Sequence, residues 1–177
     1  MKKFKNKIIL IGGASGVTKS SFSYQLMKKH KIIHKLGSGF IREMAKSFIP
    51  KSKNINLYTH SFETNLKRPI ENLLLQSMPL KKMFQSAINR ANREGTSIII
   101  EGVNIIPGLT EFKYIDDKII LIIKDEEKHL NLINNNNTHK LRKVDFKHFK
   151  NIRLIQEELI TRAKKNNWRI IDRGKVL

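Results

Sequence analysis

Cysteine is absent from the 177-residue sequence, and aromatic residues make up only 7% of it. Without thiols the chain can form no disulfide, thiolate zinc site or thiol redox centre. The scarcity of aromatics argues against the stacking platforms on which proteins bind single-stranded nucleic acids. Apolar runs are also short: the lysine-rich start leads into residues 8–11 and then into glycines, and no run is long enough to cross a bilayer. These absences predict a soluble, cytoplasmic protein that does not bind a membrane.

Acidic residues are few as well: 15 Asp and Glu stand against 35 Lys and Arg, which gives a formal net charge of +20. Three explanations stay open. The charge could serve a polyanionic partner such as RNA or DNA, reflect a lysine- and asparagine-rich coding bias, or converge on nucleotide and substrate phosphates. The cations are scattered apart from a denser patch at residues 140–153, and no nucleic-acid motif is present. We therefore favour coding bias together with a phosphate site over nucleic-acid binding.

Strands and helices alternate along a chain whose length fits one domain and whose composition, 40% hydrophobic and 28% charged, is that of a globular protein. Apolar runs predict buried strands at residues 7–11, 32–36, 97–100, 118–123 and 168–171. Helical spacing predicts helices at 19–29, 40–48, 80–93 and 125–133, one that begins near Pro69, and a last one capped by Asp145. We expect an irregular connection at 50–66 and a mobile loop at 134–137. The alternation predicts an α/β fold with a five-stranded parallel sheet and helices on both faces.

The clearest motif follows the first strand and reads Gly13-Ala14-Ser15-Gly16-Val17-Thr18-Lys19-Ser20. A buried strand before it and a helix after it are the context that a phosphate loop of the GxxxxGK[ST] type requires. Glycines let the backbone wrap a phosphate with its N–H groups pointing inward, and the helix places its positive end against the same anion. Lys19 can then reach the β- and γ-phosphates of ATP, and the Ser20 hydroxyl can join the shell of Mg2+. The motif predicts an ATP and Mg2+ site, with a purely structural turn as the alternative.

Ordered segments along nearly the whole chain match one family. They are Gly13 through Ser21, Ile41-Arg42-Glu43, His60-Ser61-Phe62-Glu63, Gln76, Glu94 through Gly108, and Phe149 through Gln156. On these residues the chain resembles the 2-phosphoglycerate kinases, which use ATP and Mg2+ to phosphorylate the free hydroxyl of 2-phosphoglycerate. The most specific pieces are the segment from Glu101 to Gly108 and the string Ile152-Arg153-Leu154-Ile155-Gln156. The resemblance implies a P-loop fold of the nucleoside-monophosphate-kinase type, with one kinase domain at residues 1–177 and a small lid near 125–150.

The resemblance also implies nucleotide-side roles. Residues Gly13 through Ser21 would bind ATP, and Lys19 would act on its phosphates. Glu101, at the carboxyl end of a buried strand, would orient the attacking hydroxyl or a Mg2+-bound water, and would share the metal with Ser20. A buried strand-end acid with a structural role is the alternative for Glu101. Arg142, in the lid, would cover the transferring phosphoryl group, with a solvated cation as the alternative.

On the acceptor side, the resemblance implies that Arg42 binds the acceptor's phosphate, with Glu43 beside it. A guanidinium suits this role because its planar fork meets two phosphate oxygens at once. An exposed ion pair between Arg42 and Glu43 is the alternative. His60 and His129 occupy family-like positions, but lone histidines are more often surface or packing residues, and no metal-ligand spacing links the six histidines.

Three residues depart from the family pattern. Thr18 stands where the loop motif has its last glycine, and a β-branched residue there is strained if the position needs a positive φ. Gly39 stands where an aspartate is expected three residues before Arg42. Without that acid, Glu101 or Glu43 must supply the carboxylate, or the acceptor differs, or turnover is weak. Asn104 stands where the family has a histidine.

The sequence thus predicts a small-molecule kinase that transfers the γ-phosphoryl group of MgATP to a small phosphorylated acid, with 2-phosphoglycerate as the first choice. Two other hypotheses stay open. One is a nucleotide-binding module with an altered acceptor site that acts as a sensor or binds a partner. The other is a polynucleotide-directed kinase or binding protein.

Overall fold

A parallel β-sheet lies at the centre of the computed structural model, which describes residues 6–65, 67–139 and 144–175, with the backbone alone for residues 136–139. The strands are Ile8–Gly12 (β1), His34–Gly37 (β2), Ile98–Glu101 (β3), Asp117–Ile122 (β4) and Arg169–Asp172 (β5). They form one five-stranded sheet in the order β2-β3-β1-β4-β5, and every neighbouring pair is parallel. The predicted five-stranded parallel sheet is confirmed.

The central strand β1 consists of isoleucine, leucine and a final glycine, and all five of its residues are buried. A strand that is covered on both faces needs apolar residues at consecutive positions, and β-branched side chains suit its pleated backbone. In the register of the sheet, Ile11 lies opposite Glu101 of β3 and opposite Ile119 of β4. The carboxyl end of β3 therefore lies beside the start of the loop that follows β1.

Helices connect the strands, and two of their termini carry a residue that suits a helix terminus. In the described part of the chain the helices are Lys19–His30 (α1), Ser38–Lys46 (α2), Pro69–Ser77 (α3), Lys81–Glu94 (α4), Glu126–His139 (α5) and Phe149–Lys165 (α6). Short 3-10 turns lie at Ile55–Tyr58, Met78–Leu80, Phe146–His148 and Arg173–Lys175. Pro69 is the first residue of α3, where its missing N–H removes no helical bond. Gly95 ends α4 in the left-handed conformation.

The helices cover both faces of the sheet, as predicted. Crossovers between parallel strands are right-handed. The chain moves from β1 outward to β2 and then back to β3, so α1 and α4, which lie on these two crossovers, cover opposite faces. Both helices contact β1 and β3. The central strands are therefore enclosed between two helical layers.

Isoleucine dominates the core between these layers. The helices contribute one apolar face each, for example Phe84 and Ile88 of α4 and Ile152 and Leu159 of α6, all of them buried. Their opposite faces carry charged residues, so the helices are amphipathic. Among the residues described, no helix combines the length and the apolar character that crossing a bilayer requires.

The structure corrects two local predictions. The tract 134–137, expected to be a mobile loop, is part of helix α5. Neither glycine nor proline interrupts residues 126–139, and asparagine weakens a helix by only about 0.7 kcal/mol relative to alanine, so the packing of Leu130 and Ile133 extends the helix through the tract. Strand β2 begins at His34 rather than at residue 32, because the N–H of Ile32 donates to Met27 and closes the C-terminus of α1.

A third difference concerns the start of α6. Asp145 caps the 3-10 turn Phe146–His148 by accepting a hydrogen bond from the N–H of Lys147. The turn leads directly into Phe149, where α6 begins without a side-chain cap. The predicted cap is therefore present, but it acts on the turn before the helix.

Candidate active site

The phosphate-loop motif forms the connection between β1 and α1. Gly13 and Ala14 are buried at its base, whereas residues 15–21 line an open cavity. At Gly16 the backbone has a φ of 84°, and a side chain there would overlap Ile133 of α5, so only glycine fits. The first turn of α1 lines the same cavity, and helix N-termini present unsatisfied N–H groups and a positive dipole to an anion. The segment is thus arranged to bind a phosphate.

Lys19 folds back across this loop. Its Nζ donates a hydrogen bond of 2.6 Å to the carbonyl oxygen of Ala14, five residues earlier. The ammonium group consequently lies against the backbone of the loop itself. This arrangement concentrates positive charge at one end of the cavity.

Ser20 and Glu101 meet at the boundary between the loop and the sheet. The Ser20 hydroxyl donates to Oε1 of Glu101 at 3.0 Å, and Nζ of Lys35 on β2 lies 3.4 Å from the same oxygen. Glu101 is only 7% exposed, yet it lines the cavity. A hydroxyl and a carboxylate are the hard oxygen ligands that Mg2+ prefers, and Mg2+ commonly takes one or two protein ligands beside water and phosphate. This pair could therefore hold a Mg2+ whose other ligands are water and nucleotide phosphate. Among the described residues, no group of three or more acidic or histidine side chains is placed to hold a metal ion.

The cavity has a volume of about 1000 Å³ and is built from four segments of the chain. Its lining comprises residues 15–21 of the loop and α1, 37–40 with Arg42 and Glu43, His60 with Ser61, and 101–104 after β3. Three of these segments meet because β1, β3 and β2 are neighbours whose carboxyl ends lie at the same edge of the sheet.

Arg42 and Glu43 lie on the α2 wall of the cavity. NH1 of Arg42 donates to the carbonyl of Thr59 at 3.3 Å, and its NH2 lies 3.8 Å from Oε1 of Glu43. The Arg42 side chain is largely buried, whereas Glu43 is exposed and forms a closer ion pair of 2.8 Å with Lys46. The structure therefore contains the Arg42–Glu43 pair that the alternative interpretation expects, but Arg42 itself is largely buried rather than exposed.

A buried polar network supports this wall. Asn104 is 1% exposed, accepts a hydrogen bond from Ser38, and donates to both Gln76 and Ser77. Gln76 in turn donates to the carbonyls of Asn56 and Thr59, at 2.8 Å and 2.9 Å. Buried amides need such partners, and here they connect α2, α3 and the segment after β3. Asn104, a departure from the family pattern, is thus fully used in the fold.

Thr18 has φ 58° and ψ 31°, the left-handed conformation that disfavours a β-branched residue. The strain expected from the sequence is therefore confirmed. Its hydroxyl accepts a hydrogen bond of 3.3 Å from Nε of Arg173, whose guanidinium lies over the ring of Phe22 at 5.1 Å. Arg173 is only 3% exposed. These contacts hold the threonine side chain against the turn that follows β5.

His129 of α5 is completely buried beneath the phosphate loop. Its Nε2 lies 2.8 Å from the carbonyl oxygen of Ser15, and its Nδ1 lies 3.4 Å from NH1 of Arg153. Burial, together with the positive charges of Arg153 and Lys19, lowers the pKa of His129 to about 4. The hydrogen bond to Ser15 raises the pKa but does not outweigh these effects. The imidazole is therefore neutral near pH 7.

Comparison with known proteins agrees with this geometry. No family model matches the chain. The 2-phosphoglycerate kinase of Methanocaldococcus jannaschii is 28% identical over 96% of this chain, that of Methanococcus maripaludis strain C6 is 30% identical over 93%, and that of Thermococcus kodakarensis is 27% identical over 93%. The chain resembles archaeal 2-phosphoglycerate kinases over nearly its whole length. It spans 59%, 59% and 60% of the length of these three relatives.

Solved structures identify the fold. A chain in the structure of the Pnkp1/Rnl/Hen1 RNA repair complex aligns with a TM-score of 0.57 and 14% identity, covering 93% of this chain and 47% of that one. Shikimate kinase from Acinetobacter baumannii, in complex with shikimate, aligns with a TM-score of 0.51 and 13% identity, covering 96% of this chain and 84% of that one. Together with the strand order and the phosphate loop, these likenesses show a P-loop kinase fold.

Residues 152–156, on which the resemblance to 2-phosphoglycerate kinases partly rests, hold helix α6 against the end of strand β4. NH1 of Arg153 donates to the carbonyl of Ile123 at 2.7 Å, and its NH2 donates to that of Lys124 at 3.1 Å. Gln156 donates to the carbonyl of Ile123 and accepts from its N–H. These bonds pair the backbone polar groups of the residues just after β4 and fix α6 against the sheet.

The structure brings most of the predicted site residues together in one cavity, namely residues 15–21, Arg42, Glu43 and Glu101. Arg142 lies outside the described residues. Sequence reasoning missed Lys35 and Arg173 and did not assign His129 to the loop. A lysine inside an apolar strand segment was the available signal for Lys35, whereas the contacts of Arg173 and His129 follow from no local pattern.

Proposed function

We propose that this chain is a small-molecule kinase that transfers the γ-phosphoryl group of MgATP to the free hydroxyl of 2-phosphoglycerate, which yields 2,3-bisphosphoglycerate. One observation carries the proposal: Ser20 of the phosphate loop meets Glu101 of β3 at 3.0 Å, on the wall of a cavity that Arg42 also lines. A nucleotide phosphate and an anionic acceptor would therefore be held in one cavity. The similarity to 2-phosphoglycerate kinases supports this choice of acceptor.

On the nucleotide side, the backbone N–H groups of residues 15–20 would surround the phosphates at the N-terminus of α1. The Lys19 ammonium would exchange the Ala14 carbonyl for the β- and γ-phosphate oxygens, because a charged acceptor makes the stronger hydrogen bond. Ser20 and Glu101 are the residues that would hold Mg2+, which when bound neutralises the charge on the phosphate oxygens.

On the acceptor side, the Arg42 guanidinium would bind the phosphate or carboxylate of the acid through two parallel hydrogen bonds. The acceptor hydroxyl needs a carboxylate that orients it for in-line attack. In the described lining of the cavity the acids are Glu43 and Glu101. Glu43 is exposed and pairs closely with Lys46, at 2.8 Å. Glu101 is buried and its contact with Lys35 is longer, at 3.4 Å, so Glu101 is the better placed of the two. A Cβ at Gly39 would meet no atom within 4 Å, so the place of the expected aspartate is open.

A second candidate function rests on Phe40, which is 77% exposed at the edge of the same cavity. An exposed aromatic ring beside a phosphate-transfer site can stack on a nucleobase. The net charge of +20 and the structural likeness to a chain of an RNA repair complex suit a polynucleotide acceptor with a free 5′-hydroxyl. This function predicts that an oligonucleotide, rather than a small acid, accepts the phosphoryl group.

Phosphorus NMR of reaction mixtures tests the proposal directly. The purified chain is incubated with MgATP and either 2-phosphoglycerate, 3-phosphoglycerate or a 5′-hydroxyl oligonucleotide. We expect 2,3-bisphosphoglycerate from 2-phosphoglycerate. Glu101→Gln should lower kcat by about 100-fold or more, since an oriented carboxylate contributes that much to proton transfer. Arg42→Lys should raise KM for the acceptor by about 10-fold and leave KM for ATP unchanged, because a lysine cannot form the bidentate contact.

Glu94→Gln is the matched control for Glu101→Gln, since Glu94 lies at the exposed end of α4 and outside the cavity. It should leave kcat unchanged. Phosphorylation of the oligonucleotide alone would replace the first function with the second. Binding of MgATP without turnover of any acceptor would leave only a nucleotide-binding module, and equal activity of Glu101→Gln and Glu94→Gln would remove the role of Glu101.

A further inference from the structure

Helix α5 packs directly on the phosphate loop through a buried histidine. His129 Nε2 lies 2.8 Å from the Ser15 carbonyl oxygen. The next residue, Gly16, fits so closely against α5 that an added Cβ would overlap Ile133 and come within 3.1 Å of His129 Nε2. The loop is therefore shaped from outside by a helix that does not belong to its own strand–loop–helix unit.

The neighbours of His129 determine its tautomer. Arg153 lies 3.4 Å from Nδ1, and a guanidinium can only donate hydrogen bonds. The Ser15 carbonyl can only accept. Nδ1 must therefore be the acceptor, and the proton of the neutral ring must be on Nε2, where it is donated to Ser15. Arg153 is itself fixed by its bonds to Ile123 and Lys124, so the ring is held from both sides.

The orientation of the Ser15–Gly16 peptide follows from this bond. The peptide is trans, as are all those described, and in a trans peptide the C=O and the N–H point in opposite directions. Because the Ser15 carbonyl points toward His129, the Gly16 N–H points away from α5. Gly16 also lines the cavity, so an N–H that points away from α5 can face a phosphate bound there.

We propose that His129 is a positioning residue, which fixes the Ser15–Gly16 peptide so that the Gly16 N–H is ready to donate to a nucleotide phosphate. This inference rests on the proposed nucleotide site and adds a role for α5 to it. The Nε2–H donor positions the peptide, whereas the packing of the ring supports only the fold. An apolar ring of similar size should therefore keep the fold and weaken phosphate binding.

The experiment compares His129→Phe with His129→Gln. A phenyl ring keeps the edge-to-face contact with Phe149, at 5.6 Å between ring centres, but it cannot donate. The glutamine amide can donate to Ser15 and accept from Arg153, as the neutral imidazole does. We expect the Kd for MgATP to rise about 10-fold in His129→Phe, because the variant would lose one charge-assisted hydrogen bond, from the Gly16 N–H to a phosphate. In His129→Gln it should stay within about 3-fold of wild type. His34→Phe, at an exposed position on β2, is the matched control and should bind as wild type does.

A second measurement reports on the peptide itself. With glycine labelled selectively, proton–nitrogen NMR resolves the Gly16 amide among nine glycines. At saturating MgATP this amide should shift strongly in wild type and in His129→Gln and by much less in His129→Phe, and a purely structural role would not separate the two variants in this way. Should phenylalanine fail to pack, His129→Met is an apolar and more adaptable replacement with the same expected result.

Two outcomes overturn the inference and can be told apart. If wild type binds MgATP and folded His129→Phe binds it equally well, with the same shift of the Gly16 amide, then His129 does not position the loop and the proposed function is untouched. If wild type itself binds neither MgATP nor pyrophosphate, the nucleotide site and the role of His129 are both wrong.

Discussion

Acidification should destabilise this protein through one buried side chain, His129. Its pKa is about 4 in the folded chain and about 6.5 for a histidine in an unfolded chain. Between these values the unfolded chain binds a proton that the folded chain does not, so the free energy of unfolding falls as the pH falls. Each pH unit in this window removes about 1.4 kcal/mol, and a change from about pH 7.5 to about pH 5 removes about 2 kcal/mol.

Urea unfolding of wild type and His129→Gln at these two pH values measures the effect. Glutamine does not titrate, so the variant should lose about 2 kcal/mol less than wild type. His34→Gln, at an exposed position, should follow wild type. Glu111 contributes little in this window: burial would raise its pKa, but hydrogen bonds from Lys118, Gly108 and Trp168 lower it, so its stabilisation is lost only below about pH 4.5. Equal losses in wild type and His129→Gln would refute the buried, neutral histidine.

Three further predictions concern the stability of the cavity wall, each measured by urea unfolding. Gly102→Ala should destabilise the fold by roughly 3 kcal/mol, because the added methyl would overlap Ser38 and the φ of residue 102 is 150°. A Gly102→Ala variant as stable as wild type would contradict this close packing. Thr18→Gly should change the free energy of unfolding by less than about 1 kcal/mol, because the released backbone strain offsets the lost hydrogen bond to Arg173. Thr18→Val loses the same bond and keeps the strain, so it should destabilise the fold by about 1–2 kcal/mol. If Thr18→Gly were less stable than Thr18→Val, the backbone at Thr18 would not be strained. Asn104→Ala should cost about 2–3 kcal/mol because it leaves buried polar partners unsatisfied, and a loss below about 0.5 kcal/mol would refute the network.

The parts of the site that are local in sequence could be predicted from it. The motif of residues 13–20 contains its own glycines, lysine and serine, and the strand before it and the helix after it are local as well. Glu101 could be placed beside this loop because parallel strands end at one edge of a sheet. Its bond to Ser20 then follows from the neighbouring positions of β1 and β3.

The parts that depend on distant contacts could not be predicted. Arg173 meets Thr18 across 155 residues of sequence, and His129 meets Ser15 across 114. Arg173 lies in no motif. His129 occupies a family-like position, but a single histidine in a helix has the same sequence pattern whether it packs in the core or binds a ligand. The tract 134–137 was misjudged for a related reason: propensity describes the isolated segment, and the helix that contains it is stabilised by packing against the loop.

Calorimetric titration of MgATP into wild type and into Lys19→Met tests the central claim most directly. If residues 13–20 bind the nucleotide's phosphates, wild type should bind one MgATP per chain. Lys19→Met should bind it at least about 10-fold more weakly, because the charged donor is gone while the apolar part of the side chain is kept. Equal affinity in the two proteins, or no binding by wild type, would contradict the account.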